Sequence, residues 1–161
     1  MSVTVREYSI SDIPVLREIW NAIVDEGSSF PQEDFLDEQQ ATAFFAEQTH
    51  VGVAQKNGET VGFYILHPNN VGRCGHIGNS SYAVKSGHRG EGIGEKLIRD
   101  SLCIAAKNFK ILQFNAVVAS NDSALYLYKK LGFTTLGTIP GGFKTKNGTY
   151  EDIVLFYITL A

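Results

Sequence analysis

The six residues Arg89-Gly90-Glu91-Gly92-Ile93-Gly94 constrain this chain more than any other stretch. Ile77 to Val84, just before them, reads as a strand. After them Ile93, Leu97, Ile98, Leu102 and Ala105 recur at helical spacing. A strand that enters a helix through alternate glycines is a general solution for holding an anion. Glycine lets the backbone approach phosphate oxygens, the first N–H groups of the helix point outward, and the helix dipole adds favourable potential. Arg89 brings a positive charge to the entrance. A phosphate loop of the form GxxxxGK[ST] is excluded, because Glu95 follows Gly94. A dinucleotide fingerprint GxGxxG is also excluded, because the spacing here is GxGxG and the surrounding order of elements is not βαβ. A tight glycine turn without a ligand remains the plain alternative.

The rest of the chain surrounds that turn with recognisable elements. Val3 to Tyr8 reads as an edge strand. Ser11 offers an N-cap and Pro14 fits a first turn, so a helix is predicted to about Glu26 on the stripe Ile13, Leu16, Trp20, Ile23, Val24. Ala41, Phe44 and Phe45 mark a second helix over Asp37 to Gln48. Val51 to Gln55 and Val61 to Leu66 are strands joined at Asn57-Gly58, a strong hairpin signal. His67 to Gly75 reads as a loop. Ile111 to Val118 is a strongly apolar strand, expected at the centre of the sheet. Ala124, Leu127, Tyr128 and Leu131 line one face of a last helix, which Gly132 stops. Thr134 to Thr138 and Ile153 to Ile158 are the final strands, with Ile139 to Tyr150 read as the loop between them. The order β-α-α-β-β-β-α-β-α-β-β defines an α/β (α+β) fold: a mixed sheet of about seven strands with four helices on its faces.

Bulk properties narrow the function classes. With 161 residues, 43% of them apolar, residues 1–161 form a single domain with a sizeable core. A net charge of -3 argues against nucleic acid as the main ligand. No apolar run approaches the length of a membrane span. Met1 to Ile10 carries no apolar h-region, so a cytoplasmic protein is expected, with Cys74 and Cys103 as free thiols. The four histidines show no metal-ligand spacing, and no metal is expected.

A second motif joins the glycine turn. Asn121, Ala124, Leu127, Tyr128, Gly132 and Phe133 form N-x-x-A-x-x-L-Y-x-x-x-G-F. Arg89, Gly92 and Gly94 match the pattern [QR]-x-x-G-x-[GA]. The two motifs and the element order together resemble the GNAT (GCN5-related) N-acetyltransferase superfamily over nearly the full chain. That resemblance implies a sheet splayed at the cofactor site, acetyl-CoA as cosubstrate, direct attack by the amine in a ternary complex, and commonly a homodimer. It implies that the backbone of Tyr82, Ala83 and Val84 holds the pantetheine arm and polarises the thioester carbonyl. Residues Arg89, Gly90, Glu91, Gly92, Ile93 and Gly94 would hold the pyrophosphate, and Asn121 at a helix N-cap would reach the pantetheine.

Tyr128 would then be the general acid toward the leaving thiolate, since a phenol stays protonated at neutral pH. On periodicity alone it reads as a core aromatic. Tyr126 is the weaker candidate. No carboxylate lies on Ile77 to Val84 to serve as base, and His76, just before that strand, is a candidate. Asn115 interrupts an apolar strand, where a buried amide needs partners. His76-Ile77-x-Asn79, Phe114-Asn115 and Asn121 are similar to the azetidine-2-carboxylate and proline-analogue acetyltransferases of the same class. That similarity implies Asn79 as an acceptor-binding residue and places Asn115, as a catalytic residue, together with Asn121 at the reaction centre. Tyr128 departs from that group, which need not keep a tyrosine there. The segment around Phe143 and Lys144 borders the acceptor site in this fold, so Phe143 is expected to cap a small amine. The expected activity is acetyl transfer to a small-molecule amine, with a peptide acceptor or a non-catalytic acyl-CoA sensor as alternatives.

Overall fold

The computed structural model describes residues 2–161. Its strands are β1 (Thr4–Glu7), β2 (His50–Lys56), β3 (Glu59–Pro68), β4 (Ile77–Val84), β5 (Ile111–Val118), β6 (Thr134–Lys144) and β7 (Tyr150–Thr159). Its helices are α1 (Ile13–Glu26), α2 (Glu38–Ala46), α3 (Ile93–Asn108) and α4 (Asp122–Lys130). Short 3₁₀ turns occupy Ile10–Asp12 and Gly72–Cys74. The seven strands form one sheet in the order β1-β2-β3-β4-β5-β7-β6. All neighbours are antiparallel except β4 and β5.

The sheet is covered on both faces, which is why β3 is apolar almost throughout. Phe63 and Ile65 face α1 and α2, packing with Leu16, Trp20, Ile23 and Phe45. Tyr64 and Leu66 face the opposite way, joining Leu97, Ile98, Phe114, Tyr128 and Phe156 beneath α3 and α4. The period-two alternation of β3 therefore divides the interior into two cores. Asn57 and Gly58 both take positive φ (54° and 77°), the turn their sequence predicted. Cys74 and Cys103 are free and exposed. Among the described residues, no helix is long and apolar enough to cross a membrane.

Two local expectations are corrected. Ser11 does not cap α1. Asp12 precedes the helix, and its carboxylate reaches back to the Ser9 N–H (2.7 Å) and accepts two bonds from the Arg6 guanidinium (2.8 and 2.9 Å). This clamp tightens the entry into a 3₁₀ turn and absorbs Ser11 into it. Ile139 to Tyr150 is not mainly a loop either. The strand β6 runs on to Lys144 and pairs with Tyr150, interrupted by an irregularity between Ile139 and Phe143. Pro140 is tolerated because β6 is an edge strand and bulges there. The Gly141 N–H donates to Asp152 Oδ1 at 2.9 Å, which satisfies the bulged backbone.

Hydrogen bonds from Arg6 hold the Asp12 carboxyl below the ordinary aspartate range, against an opposing effect of burial. Its stabilising contribution is complete above the unfolded value of about 3.9 and is lost as pH falls through the lowered folded value. Asp12→Ala is expected to cost about 1–3 kcal/mol at pH 7, which is a Tm decrease of about 3–9 °C. In thermal melts at decreasing pH, the gap between wild type and variant should narrow below about pH 4.

Candidate active site

β3 and β4 stay paired from Gly62↔Val84 to Pro68↔Gly78. β4 and β5 pair only at Ile77↔Ile111 and Gly78↔Leu112, then part. β5 turns instead to β7, with a register shift between Phe114 and Val117. A wedge-shaped gap thus opens inside the sheet between Asn79–Val84 and Gln113–Val118. Its sides present the backbone edge that an extended ligand can join as a further strand. Tyr82, Ala83 and Val84 lie along the open part of β4. The Tyr82 ring points toward α3, where its hydroxyl meets Ser101 Oγ at 2.7 Å, and Ala83 is buried against α1 and α2. What they offer the gap is therefore backbone.

The glycine turn lies at the end of β4. Gly90 and Gly92 take φ of 83° and 80°, and Gly92 immediately precedes α3. Among the described residues, no N–H from Arg89 to Glu95 donates to another group of the chain. This run of free amides at a helix start is a cradle for an anion. Side chains are arranged around it rather than in it. Ile93 is buried in the core. Glu91 is bonded to Lys56 Nζ (2.8 Å) and His88 Nδ1 (3.2 Å), and the Lys56 bond leads in lowering its pKa. Glu91 and Ile93 are thus available to a ligand only through their amides. Arg89 pairs with Glu26 at the end of α1 (2.8 Å), beside a hollow of about 120 Å³ lined also by Ile23, Val84 and Ser86.

Beneath the gap, Tyr82, Phe114 and Tyr128 form an aromatic floor. Tyr128 lies 4.6 Å from Phe114 and 6.4 Å from Tyr82 between ring centroids. It is 9% exposed. Burial first, then the neighbouring Tyr82, pushes its pKa well above the ordinary phenol value. Burial also pushes Tyr82 up to about 12, partly offset by bonds to Ser101 and Ser80. Tyr126 is exposed and off this floor. Asn121 caps α4, its side chain accepting from the Ala124 N–H at 3.3 Å.

On the other face, Asn79 and Asn115 come together through a residue that the sequence did not single out. Asn69 Oδ1 accepts from Asn79 Nδ2 (3.1 Å) and from Asn115 Nδ2 (2.6 Å). Asn115 is exposed rather than buried, because β5 has already left β4 at that level. The burial expected for a central strand is thereby corrected. His76 is exposed at the paired end of β4, three residues or about 10 Å along the strand from Asn79. That distance removes it as a base at Asn79.

A cleft of about 300 Å³ lies between the segment after α1 and the β6–β7 hairpin, lined by Val24, Phe30, Phe35, Phe143, Lys144 and Lys146, among others. Phe143 is buried against Val118, Ile153 and Ala116, and so connects the cleft wall to β5. The Lys146 N–H donates to the Gly27 carbonyl at 3.2 Å, closing that side. Gly27 has φ of 65°, and a Cβ there would lie 2.6 Å from the Lys146 Cβ, so both conformation and space require glycine.

A splayed mixed sheet, a free-amide turn at the start of α3 and a capped α4 with its tyrosine together make a site suited to an extended anionic ligand. Residues 16–133 match the model of the acetyltransferase (GNAT) family, so the chain belongs to that family. It is 36% identical over 99 residues to the N-acetyltransferase aca1 of Schizosaccharomyces pombe, covering 61% of this chain and 46% of that one. The chain thus spans about half of that relative. It is 24% identical over 155 residues to the L-amino acid N-acyltransferase MnaT of Escherichia coli, covering 93% and 90%. A GCN5-related N-acetyltransferase from Kribbella flavida superposes with a TM-score of 0.91 at 28% identity, covering 98% of both chains.

The Asn121 cap gives a structural control for later mutagenesis. Asn121→Ala is expected to cost about 1 kcal/mol through the lost cap, lowering Tm by about 2–4 °C. Asn121→Asp keeps the acceptor oxygen and should melt like wild type. An unchanged Tm in the alanine variant would show that the cap contributes nothing.

Proposed function

We propose that this chain acetylates the amine of a small molecule of the amino-acid type, with acetyl-CoA lying along the β4–β5 gap. The single observation that carries the reading is the cleft of about 300 Å³ whose wall residue Phe143 packs on Ala116, the neighbour of Asn115 in β5, and which the Gly27–Lys146 contact closes on one side. Its volume suits a small ligand rather than an extended peptide. Phe143 and Phe30 provide apolar walls, and Lys144 brings a positive charge suited to a carboxylate, while Lys146 pairs with Asp25 (3.5 Å) and Glu33 adds a negative charge to the lining. That the relative MnaT acts on L-amino acids supports the same class of acceptor.

The residues fit acetyl-CoA. The free amides from Arg89 to Glu95, with the Arg89 guanidinium, suit a pyrophosphate, and the open edge of Tyr82 to Val84 suits the pantetheine amides. The cosubstrate supplies a thioester whose C–S bond breaks as the amine nitrogen forms the C–N bond. A β4 backbone N–H stabilises charge on the carbonyl oxygen. Tyr128 gives its proton to the departing sulfur and regains one from solvent as the attacking nitrogen sheds its own, and its raised pKa keeps it protonated throughout the working range. Asn79 and Asn115 orient the amine. Neither β4 nor β5 carries a carboxylate, so the amine arrives neutral or loses its proton to solvent or to a carboxylate of the cleft, Asp25 or Glu33. The value of kcat/KM should therefore rise with pH until the free acceptor is deprotonated.

The test is to incubate the protein with acetyl-CoA and a panel of amino acids, their analogues and peptides, and to follow free thiol. Turnover on amino acids or analogues is expected. Turnover on peptides alone would replace the proposal with a peptide acceptor, and tight CoA binding without turnover would replace it with a sensor. Tyr128→Phe should lower kcat about 100-fold with the acetyl-CoA Kd unchanged; the reverse pattern would remove its acid role. Arg89→Ala should weaken acetyl-CoA binding. Glu26→Gln, which frees Arg89, should tighten it by about two- to fivefold in low salt, measured by calorimetry.

A further inference from the structure

Asn69 lies just past the end of β3, and its N–H donates to the Ile77 carbonyl at 2.8 Å. Its side chain spans the mouth of the gap. Asn79 stands on β4 and Asn115 on β5, and Asn69 Oδ1 accepts from both of their amide nitrogens. The bridge joins the two strands just beyond their last backbone pair, Gly78↔Leu112.

A carboxamide oxygen has two lone pairs, and here both are used. The result fixes which way each neighbouring carboxamide faces. Both Nδ2 ends turn toward Asn69, so both oxygens turn away from it. Gln113 Nε2 occupies one side of Asn115 Oδ1 at 3.0 Å, leaving a second lone pair. Asn79 Oδ1 receives no donor among the described residues. An incoming amine carries N–H donors and needs acceptors of this kind. If either carboxamide rotated by half a turn, it would present N–H groups to the amine instead.

We propose that Asn69 is a positioning residue for the acceptor: by accepting from Asn79 and Asn115 together, it turns both carboxamide oxygens toward the incoming amine. This rests on the reading of Asn79 and Asn115 as acceptor-binding residues. Asn69 touches neither the amine nor the thioester.

The test uses Asn69→Ala, Asn69→Asp and the pair Asn69→Ala/Asn115→Ala in the full chain. Asn69→Ala should lower kcat/KM for the acceptor about 10- to 100-fold, mainly through KM, with the acetyl-CoA Kd within about twofold. Asn69→Asp keeps two acceptor positions and should recover most of the loss. The double variant should be little worse than Asn115→Ala alone, because the residues act as a unit. In ¹⁵N-resolved NMR spectra, Asn69→Ala should shift the side-chain amide signals of both Asn79 and Asn115 and speed their exchange.

Signals that stay in place, or only one that moves, would overturn the bridge. Multiplying losses in the double variant, or failure of Asn69→Asp to recover activity, would overturn the positioning role. If the wild-type protein turns over no amine, the acceptor reading fails and takes the role with it. The bridge is still judged by the amide signals.

Discussion

The structure depends on one constraint: β4 and β5 share two paired positions and no more. A gap within a sheet leaves backbone groups that need partners elsewhere. β4 remains hydrogen-bonded to β3 along its length, and β5 is held by β7 across an irregularity at Asn115 and Ala116. Each strand is therefore secured on its outer side while its inner edge stays open. Helices on both faces maintain that arrangement. Tyr82, Phe114 and Tyr128 fill the space beneath the parting strands, and a wedge of three rings cannot flatten without losing tightly packed contacts.

The gap also separates two chemistries. On the α3 and α4 side are the buried phenols, kept protonated by exclusion of water. On the α1 and α2 side are the carboxamides and the cleft. The end of α1 touches both parts of the site. Glu26 pairs with Arg89 of the glycine turn, and Gly27 accepts from Lys146 of the β6–β7 hairpin. A helix terminus fixed to the glycine turn and to the β6–β7 hairpin ties the two parts of the proposed site together.

Much of this was legible because it depends on neighbours in sequence. The stripe of α1, the Asn57-Gly58 turn, the glycines before α3 and the Asn121 cap each follow from local geometry. Ser11 misled because the real entry to α1 is set by Arg6, which comes from β1. The segment Ile139 to Lys144 looked like a loop because Pro140 and two glycines signal one. Tertiary pairing with β7 and the Asp152 side chain made it a bulged edge strand. Asn69 carried no mark in the sequence, since an asparagine in a polar, proline-containing connection is ordinary. Only the register Pro68↔Gly78 brings it to Asn79.

By itself, the sequence determined the order of elements, the glycine turn before α3 and, through two spaced motifs, the family. These rest on backbone geometry over a few residues: glycine where φ is positive, an asparagine before a helix, apolar residues at a fixed period. The tertiary structure alone decided which face of each strand meets the gap. It exposed Asn115, withdrew the Glu91 side chain from the turn, set His76 at the closed end and gathered three asparagines from separate segments. Those outcomes follow from where two strands stop pairing, which is a property of the whole sheet and is encoded at no single position.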